Sequence, residues 1–356
     1  MTYERKNIQQ MKAYVPGEQI DDPRTLKLNT NENPYPASPR VAQALASCDV
    51  SRLRQYPPPT ARSLQEAIAS KHGVDRSNVI VTNGGDELLR MTIATFVELD
   101  ENIAVARPTY TLYQVLASAH GCNMISFELN DDWTLPPNYG ALLNESGAKL
   151  AFIVNPHAPS GTLTPISVIA DIAAAYKGVL LLDEAYIDFV DPELAYDSAS
   201  LVREFDNVII LRTFSKGYSL AGLRMAYGLA SPALIGPLMK TKDSYNTDYI
   251  SQILAKASIE DQEYARQTWQ NVREQRARVT AALRQSGFVV PDSQSNFVLA
   301  TVPPGKSAED LYLALKNLGI LIRYFKQEDR LEDKLRITIG SAEENTRLLD
   351  ALTTML

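Results

Sequence analysis

Five short apolar runs in this chain end on side chains that can do chemistry. Residues 79–82 are followed by Asn83-Gly84-Gly85-Asp86-Glu87, and 103–106 by Arg107-Pro108-Thr109-Tyr110. Residues 150–154 lead into Asn155-Pro156-His157-Ala158-Pro159-Ser160-Gly161, and 179–182 into Asp183-Glu184-Ala185-Tyr186. Residues 208–211 precede Arg212-Thr213-Phe214-Ser215-Lys216-Gly217, with Leu223-Arg224 beyond. Backbone N–H groups of Gly85 and Asp86, opening a helix, suit an anion such as phosphate. Asp183 directly ends an apolar strand, so it is drawn out of water and calls for a cationic partner. Lys216, beside Thr213, Ser215 and Arg224, has cationic, hydroxyl-rich surroundings that lower an ammonium pKa. Tyr110 can stack on a flat ring. Taken singly, each is a turn, a cap or a solvated lysine; five strand ends converging on one edge are not explained by solvation.

Those residues need elements to hold them. The runs at 79–82, 103–106, 124–127, 150–154, 179–182 and 208–211 alternate with helix-like stretches at 86–96, 112–119, 166–175 and 198–205. Continuous Val/Ile/Leu runs alternating with helices predict an α/β fold around a mostly parallel sheet flanked by helices. In such a sheet the ligand crevice lies beyond the carboxyl ends of the strands. From about Tyr249 the texture changes. A long helix is expected over 261–285, with Trp269, Val272, Val279 and Leu283 on one stripe and Gly287 stopping it. Strands at 296–301, 320–324 and 335–339 and a helix at 308–318 then predict a smaller α+β domain. The expected division is an N-terminal arm over 1–28, a large domain over 29–245 and a small C-terminal domain over 246–356.

Composition removes other classes. The 356 residues carry 35 Lys+Arg against 42 Asp+Glu, a net charge of −7, which speaks against a nucleic-acid surface. Two cysteines, Cys48 and Cys122, make no disulfide framework. The polar N-terminus and the lack of bilayer-length apolar runs point to a cytoplasmic address without membrane partners. His72, His120 and His157 are too dispersed for a metal motif. Gly305-Lys306-Ser307 ends like a phosphate-binding loop, but Ala300 stands where its first glycine belongs.

A reactive lysine, an acid for a ring nitrogen, a stacking aromatic and a phosphate cup with arginine match the needs of pyridoxal 5′-phosphate. The lysine would hold the aldehyde and then carry a proton. Residues 215–224, Ser-Lys-Gly-Tyr-Ser-Leu-Ala-Gly-Leu-Arg, resemble the S-K-x-x-x-x-A-G-L-R signature of fold-type-I pyridoxal-phosphate-dependent aminotransferases. Residues 155–161 resemble their N-P-x-x-P-[TS]-G loop, and 183–186 their D-E-A-Y. Segments 28–34, 55–57, 83–87, 319–323 and 335–340 are most similar to the histidinol-phosphate branch of that family.

The resemblance implies roles. Lys216 bonds the cofactor aldehyde and moves the proton, Asp183 pairs with the ring nitrogen, and Asn155 and Tyr186 meet the ring hydroxyl. Tyr110 stacks on the ring; Gly85, Asp86, Thr213, Ser215 and Arg224 hold the phosphate. Arg336 and Arg323 receive substrate carboxylate or phosphate, because a guanidinium fork suits both. Tyr14, Asn31 and Asn296 face the substrate. Tyr56 reaches the cofactor of the neighbouring subunit, which implies a homodimer. The implied reaction is transamination between histidinol phosphate and 2-oxoglutarate, giving imidazole-acetol phosphate and glutamate. Aromatic aminotransferase or threonine-phosphate decarboxylase activity within the family is the nearest alternative, and a non-catalytic cofactor-binding module the remote one. His157 and Ala158 replace the usual Asn-Asn of the loop, and Tyr218 is expected to crowd the space near Lys216.

Overall fold

The computed structural model describes residues 3–14, 17–326, 328 and 330–356; Met1, Thr2, Val15 and Pro16 of the expected arm lie outside the described residues. Strand β1 is short (Leu26–Lys27). Then come β2 (Val79–Thr82), β3 (Asn102–Arg107), β4 (Asn123–Glu128), β5 (Ala148–Val154), β6 (Val179–Asp183), β7 (Val208–Thr213) and β8 (Ala226–Ala230). Strands β2 to β8 form one sheet in the order β2-β8-β7-β6-β5-β3-β4. Strand β8 is antiparallel to both neighbours and the other pairs are parallel, so six of the seven strands run one way. The apolar runs form strands because both faces are covered. In β5, Leu150 and Phe152 pack into one apolar cluster while Ala151 and Ile153 pack into another.

Strand β8 was not expected from the sequence. Ala226-Tyr227-Gly228-Leu229-Ala230 is poor in β-branched residues. Its glycine answers a packing need, since a Cβ there would lie 2.9 Å from both Ile80 and Leu88.

The later part of the chain contributes β9 (Phe297–Thr301), β10 (Ile320–Leu321), β11 (Arg323–Tyr324) and β12 (Lys334–Thr338). Strands β11, β12 and β9 form an antiparallel sheet. The single strand expected over 320–324 is two, in different sheets. The chain changes partner at Ile322, because β10 pairs in parallel with β1. The expected long helix spans Gln262–Gln285 and buries Trp269, Val272, Val279 and Leu283. It also buries Arg276, whose guanidinium donates to the Phe189 and Ser295 carbonyls and to Asp191. No helix among the described residues is long and apolar enough to cross a membrane.

Candidate active site

A cavity of about 1280 Å³ opens beyond the carboxyl ends of β2, β3, β5, β6 and β7. Tyr14, Asn31, Gly85, Asp86, Tyr110, Asp183, Tyr186, Thr213, Ser215, Lys216, Arg224, Arg323 and Arg336 all line it.

At one end is an anion cup. Helix Gly85–Phe96 begins there with no side-chain cap on its first turn, which leaves N–H groups for a ligand. Gly84 has φ +79°, and a Cβ on it would stand 2.8 Å from Arg224 Nη2. Arg224 is itself left-handed (φ 53°) and donates to the Ala221 carbonyl at 3.0 Å. Its Nη2 lies 3.7 Å from Asp86 Oδ2. The Thr213 hydroxyl donates to Ser215 Oγ at 3.0 Å, completing a rim of hydroxyl and guanidinium groups.

In the middle stand a lysine and an acid. Lys216 Nζ donates to the Thr30 carbonyl at 2.8 Å and lies 5.9 Å from the Tyr186 ring centre. Burial and then the Arg336 charge push its pKa down to about 8, with Glu32 opposing. Asp183 accepts from the Tyr113 hydroxyl at 2.6 Å and from the Ala185 N–H at 3.1 Å. Burial raises its pKa, while those two bonds lower it. Among the ion pairs of the described residues none involves Asp183, so the cationic partner its position calls for is left to a ligand. The adjacent Glu184 faces the other way, as strand alternation requires. It accepts from Arg212 Nε and Ser198 Oγ, both at 2.8 Å.

At the far end two arginines stand side by side, because β11 and β12 place Arg323 directly opposite Arg336. The Arg336 guanidinium lies 5.2 Å from the Phe297 ring centre and 5.6 Å from that of Phe325; Arg323 is 5.4 Å from Phe325. Arg336 Nη2 donates to the Asn29 carbonyl at 3.1 Å, and its buried Nε has no partner among the described residues. Neither arginine forms an ion pair among the described residues. Burial lowers the pKa of Arg336, and Arg323 adds to that. Two cations and an orphaned donor of this kind suit an anionic group.

The chain matches the family model "Aminotransferase class I and II" over residues 23–352. It belongs to that family. It is 42% identical over 355 residues to histidinol-phosphate aminotransferase 1 of Nostoc sp., covering 99% of this chain and 98% of the relative. The histidinol-phosphate aminotransferase of Citrifermentans bemidjiense is 41% identical over 352 residues, with 98% and 97% coverage. The crystal structure of histidinol-phosphate aminotransferase from Sinorhizobium meliloti in complex with pyridoxal-5′-phosphate shares the fold. Its TM-score is 0.88 at 24% identity, covering 100% of this chain and 99% of that one.

Not every residue expected in the aminotransferase cavity lines it. Asn155 is buried, but its amide is spent on the loop: Nδ2 donates to the Thr164 carbonyl (3.0 Å) and Tyr196 Oη (2.7 Å), and Oδ1 accepts from Thr164 N–H (2.8 Å). Asn296 stands behind the wall and donates to the Asn31 carbonyl at 2.9 Å. Asn31 does line the cavity: it adopts φ 54°, donates to Tyr186 Oη at 3.1 Å and is fixed by Thr338. Tyr56 is 80% exposed, away from this cavity, and stacks on Tyr245 at 4.4 Å. Tyr218 does not crowd Lys216. Its ring packs against Phe214 and Trp269, and its hydroxyl accepts from Gln262 at 3.0 Å. His157 is buried and structural, with Nε2 2.8 Å from the Pro108 carbonyl and Nδ1 2.7 Å from Ser160 Oγ.

Of the groups bonded to Lys216 and Asp183, Thr30 and Tyr113 were not singled out by the sequence. The Thr30 carbonyl is a backbone group without a sequence signal. Tyr113 had one: it lies three residues after Tyr110, in the first turn of the helix that opens just beyond that ring.

Proposed function

We propose that this aminotransferase uses pyridoxal 5′-phosphate to exchange the amino group of histidinol phosphate with 2-oxoglutarate, giving imidazole-acetol phosphate and glutamate, a step of histidine biosynthesis. The observation that carries the reading is Arg336 opposite Arg323, neither in an ion pair among the described residues, at the far end of a cavity that also holds Lys216 and Asp183. Full-length relatives at about 40% identity bearing the histidinol-phosphate name support the substrate.

The residues fit the cofactor. The N–H groups of Gly85 and Asp86, with Arg224, Ser215 and Thr213, complement its phosphate, and Asp183 complements a protonated ring nitrogen. Tyr110 offers a face to the ring and Tyr186 a hydroxyl. When bound, pyridoxal phosphate supplies an electron-withdrawing ring that accepts the electron pair left as the substrate α-carbon loses its proton. Lys216 Nζ is the base for that proton, since a pKa near 8 leaves part of it unprotonated at neutral pH. The Thr30 carbonyl is positioned to hold the amine in its charged form. Arg336 and Arg323 bind the carboxylate of glutamate in one half-reaction and the phosphate ester in the other. Tyr14, set edge-to-face on Tyr110 at 5.8 Å, closes the cavity over the imidazole end. The exposed Tyr56 supports a homodimer in which it reaches the neighbouring site, and the chain works in the cytoplasm.

Single-turnover rates with histidinol phosphate, phenylalanine and threonine phosphate test the substrate. Histidinol phosphate is expected to be the fastest amine donor. If it is the slowest, the substrate assignment is wrong and an aromatic or phosphothreonine substrate takes its place.

A further inference from the structure

Asp183 depends on very little. Its carboxylate is buried at the end of β6, and among the described residues only the Tyr113 hydroxyl and the Ala185 N–H bond to it. The charged and titratable groups around it give no strong help: Asp86, on the helix after β2, is a like charge; Tyr110 and Tyr186 are neutral phenols; Lys216, on the loop after β7, is engaged by Thr30. A buried carboxylate with a single amide donor tends to take up a proton. A short O–H···O⁻ bond opposes this, being roughly twice as strong as a neutral one.

Tyr113 is built to supply that bond. It is fully buried, stacks on Phe152 at 4.6 Å and meets the edge of Tyr110 at 5.6 Å. Its ring therefore cannot swing away, and burial beside a carboxylate keeps its own proton on. Helix Leu112–His120 begins just after Tyr110, so one short stretch of chain carries both the stacking ring and the brace for the acid.

We propose that Tyr113 is a positioning residue, holding Asp183 as a charged group aimed into the cavity so that it meets the cofactor's ring nitrogen as an anion. This rests on the cofactor reading above and adds to it a residue outside the recognised motifs.

The test compares pyridoxal phosphate with its 1-deaza analogue, which has C–H in place of the ring nitrogen. Dissociation constants are measured from pH 5 to 9 for the wild-type apoenzyme, Tyr113→Phe, Asp183→Asn and the double variant, with near-ultraviolet circular dichroism to verify packing. Wild-type affinity for pyridoxal phosphate should fall on acidification as Asp183 protonates. In Tyr113→Phe that fall should move up by about one pH unit or more, the ten-fold effect of losing one hydrogen bond to a charged group. The deaza analogue should bind both proteins within about two-fold, and Tyr113→Phe should add nothing in the Asp183→Asn background. An unmoved acid limb, or equal weakening of both ligands, overturns the proposal and leaves Tyr113 as packing. A wild-type chain that binds neither ligand overturns the cofactor reading itself. Should Tyr113→Phe lose its fold, Asp183→Asn alone still decides, because retention of the acid limb in that variant removes Asp183 as its source and refutes the proposal.

Discussion

Replacing Gly84 with alanine sets a methyl group where the structure has a guanidinium. The backbone there has φ 79° and ψ 166°, a region that is essentially glycine-only and costs about 1–3 kcal/mol for other residues. The added Cβ would also stand 2.8 Å from Arg224 Nη2 and 3.5 Å from its Cζ. Those atoms are the far end of a long side chain, so Arg224 gives way rather than the backbone. Two separable effects follow. The apoprotein loses about 1–3 kcal/mol, read by urea unfolding. The anion cup loses a hydrogen bond to a charged group, about 1.5–3 kcal/mol, so pyridoxal phosphate should bind roughly 10- to 150-fold more weakly. Pyridoxal, lacking the phosphate, should bind almost as to the wild type. Gly73→Ala is the control: φ is +60° with nothing within 4 Å, so it should cost about 1 kcal/mol of stability and leave affinity alone. If Gly84→Ala binds pyridoxal phosphate normally, or loses pyridoxal to the same degree, Arg224 and the first turn do not form the cup described.

Arg336→Ala should raise the KM values for glutamate and histidinol phosphate together; a change in only one would break the idea of a shared anion site. In the apoenzyme, acylation of Lys216 by an amine-directed reagent should be half-maximal near pH 8. Because that lies below its ordinary 10.5, the unfolded chain binds more protons between about pH 8 and 10.5. The native state therefore bears a penalty that is full below pH 8 and fades as pH rises. Lys216→Met should be more stable than wild type at pH 7, with the gap narrowing toward pH 10.5; a gap constant with pH counts against this. Glu184→Met strands the half-buried Arg212 and should cost about 3–5 kcal/mol by urea unfolding, much of it recovered by adding Arg212→Met. No recovery in the double variant would mean that the pair is not the source of the loss.

The sequence revealed the parallel strands because each is an apolar run cut off by polar residues, and the strand ends carried the chemistry with them. Strand β8 was hidden because its reason for being there is Gly228's closeness to Ile80 and Leu88, a property of packing rather than of propensity. Asp183 and Glu184 are adjacent acids, and only the pleat decides that one faces the cavity and the other Arg212. The pairing of Arg323 with Arg336 depends on strand register across twelve residues of intervening chain, which no spacing rule supplies. Asn155 and Asn296 show the reverse: the residue type suits a ligand, but Tyr196 and the local loop have claimed the Asn155 amide, and the Asn296 amide N–H is turned to the Asn31 carbonyl.

The two-residue pairing of β1 with β10 has a consequence for how the protein is made. Leu26 and Lys27 find their partners only when Ile320 and Leu321 exist, and Asn31 is fixed by Asn296 and Thr338. The carbonyl that receives Lys216 lies between these anchors. A nascent chain emerging from the ribosome can therefore assemble the central sheet long before the surroundings of its lysine are complete. Competence for the reaction arrives with the last few dozen residues, and a product truncated before β10 would keep the strands while losing the seat of the amine.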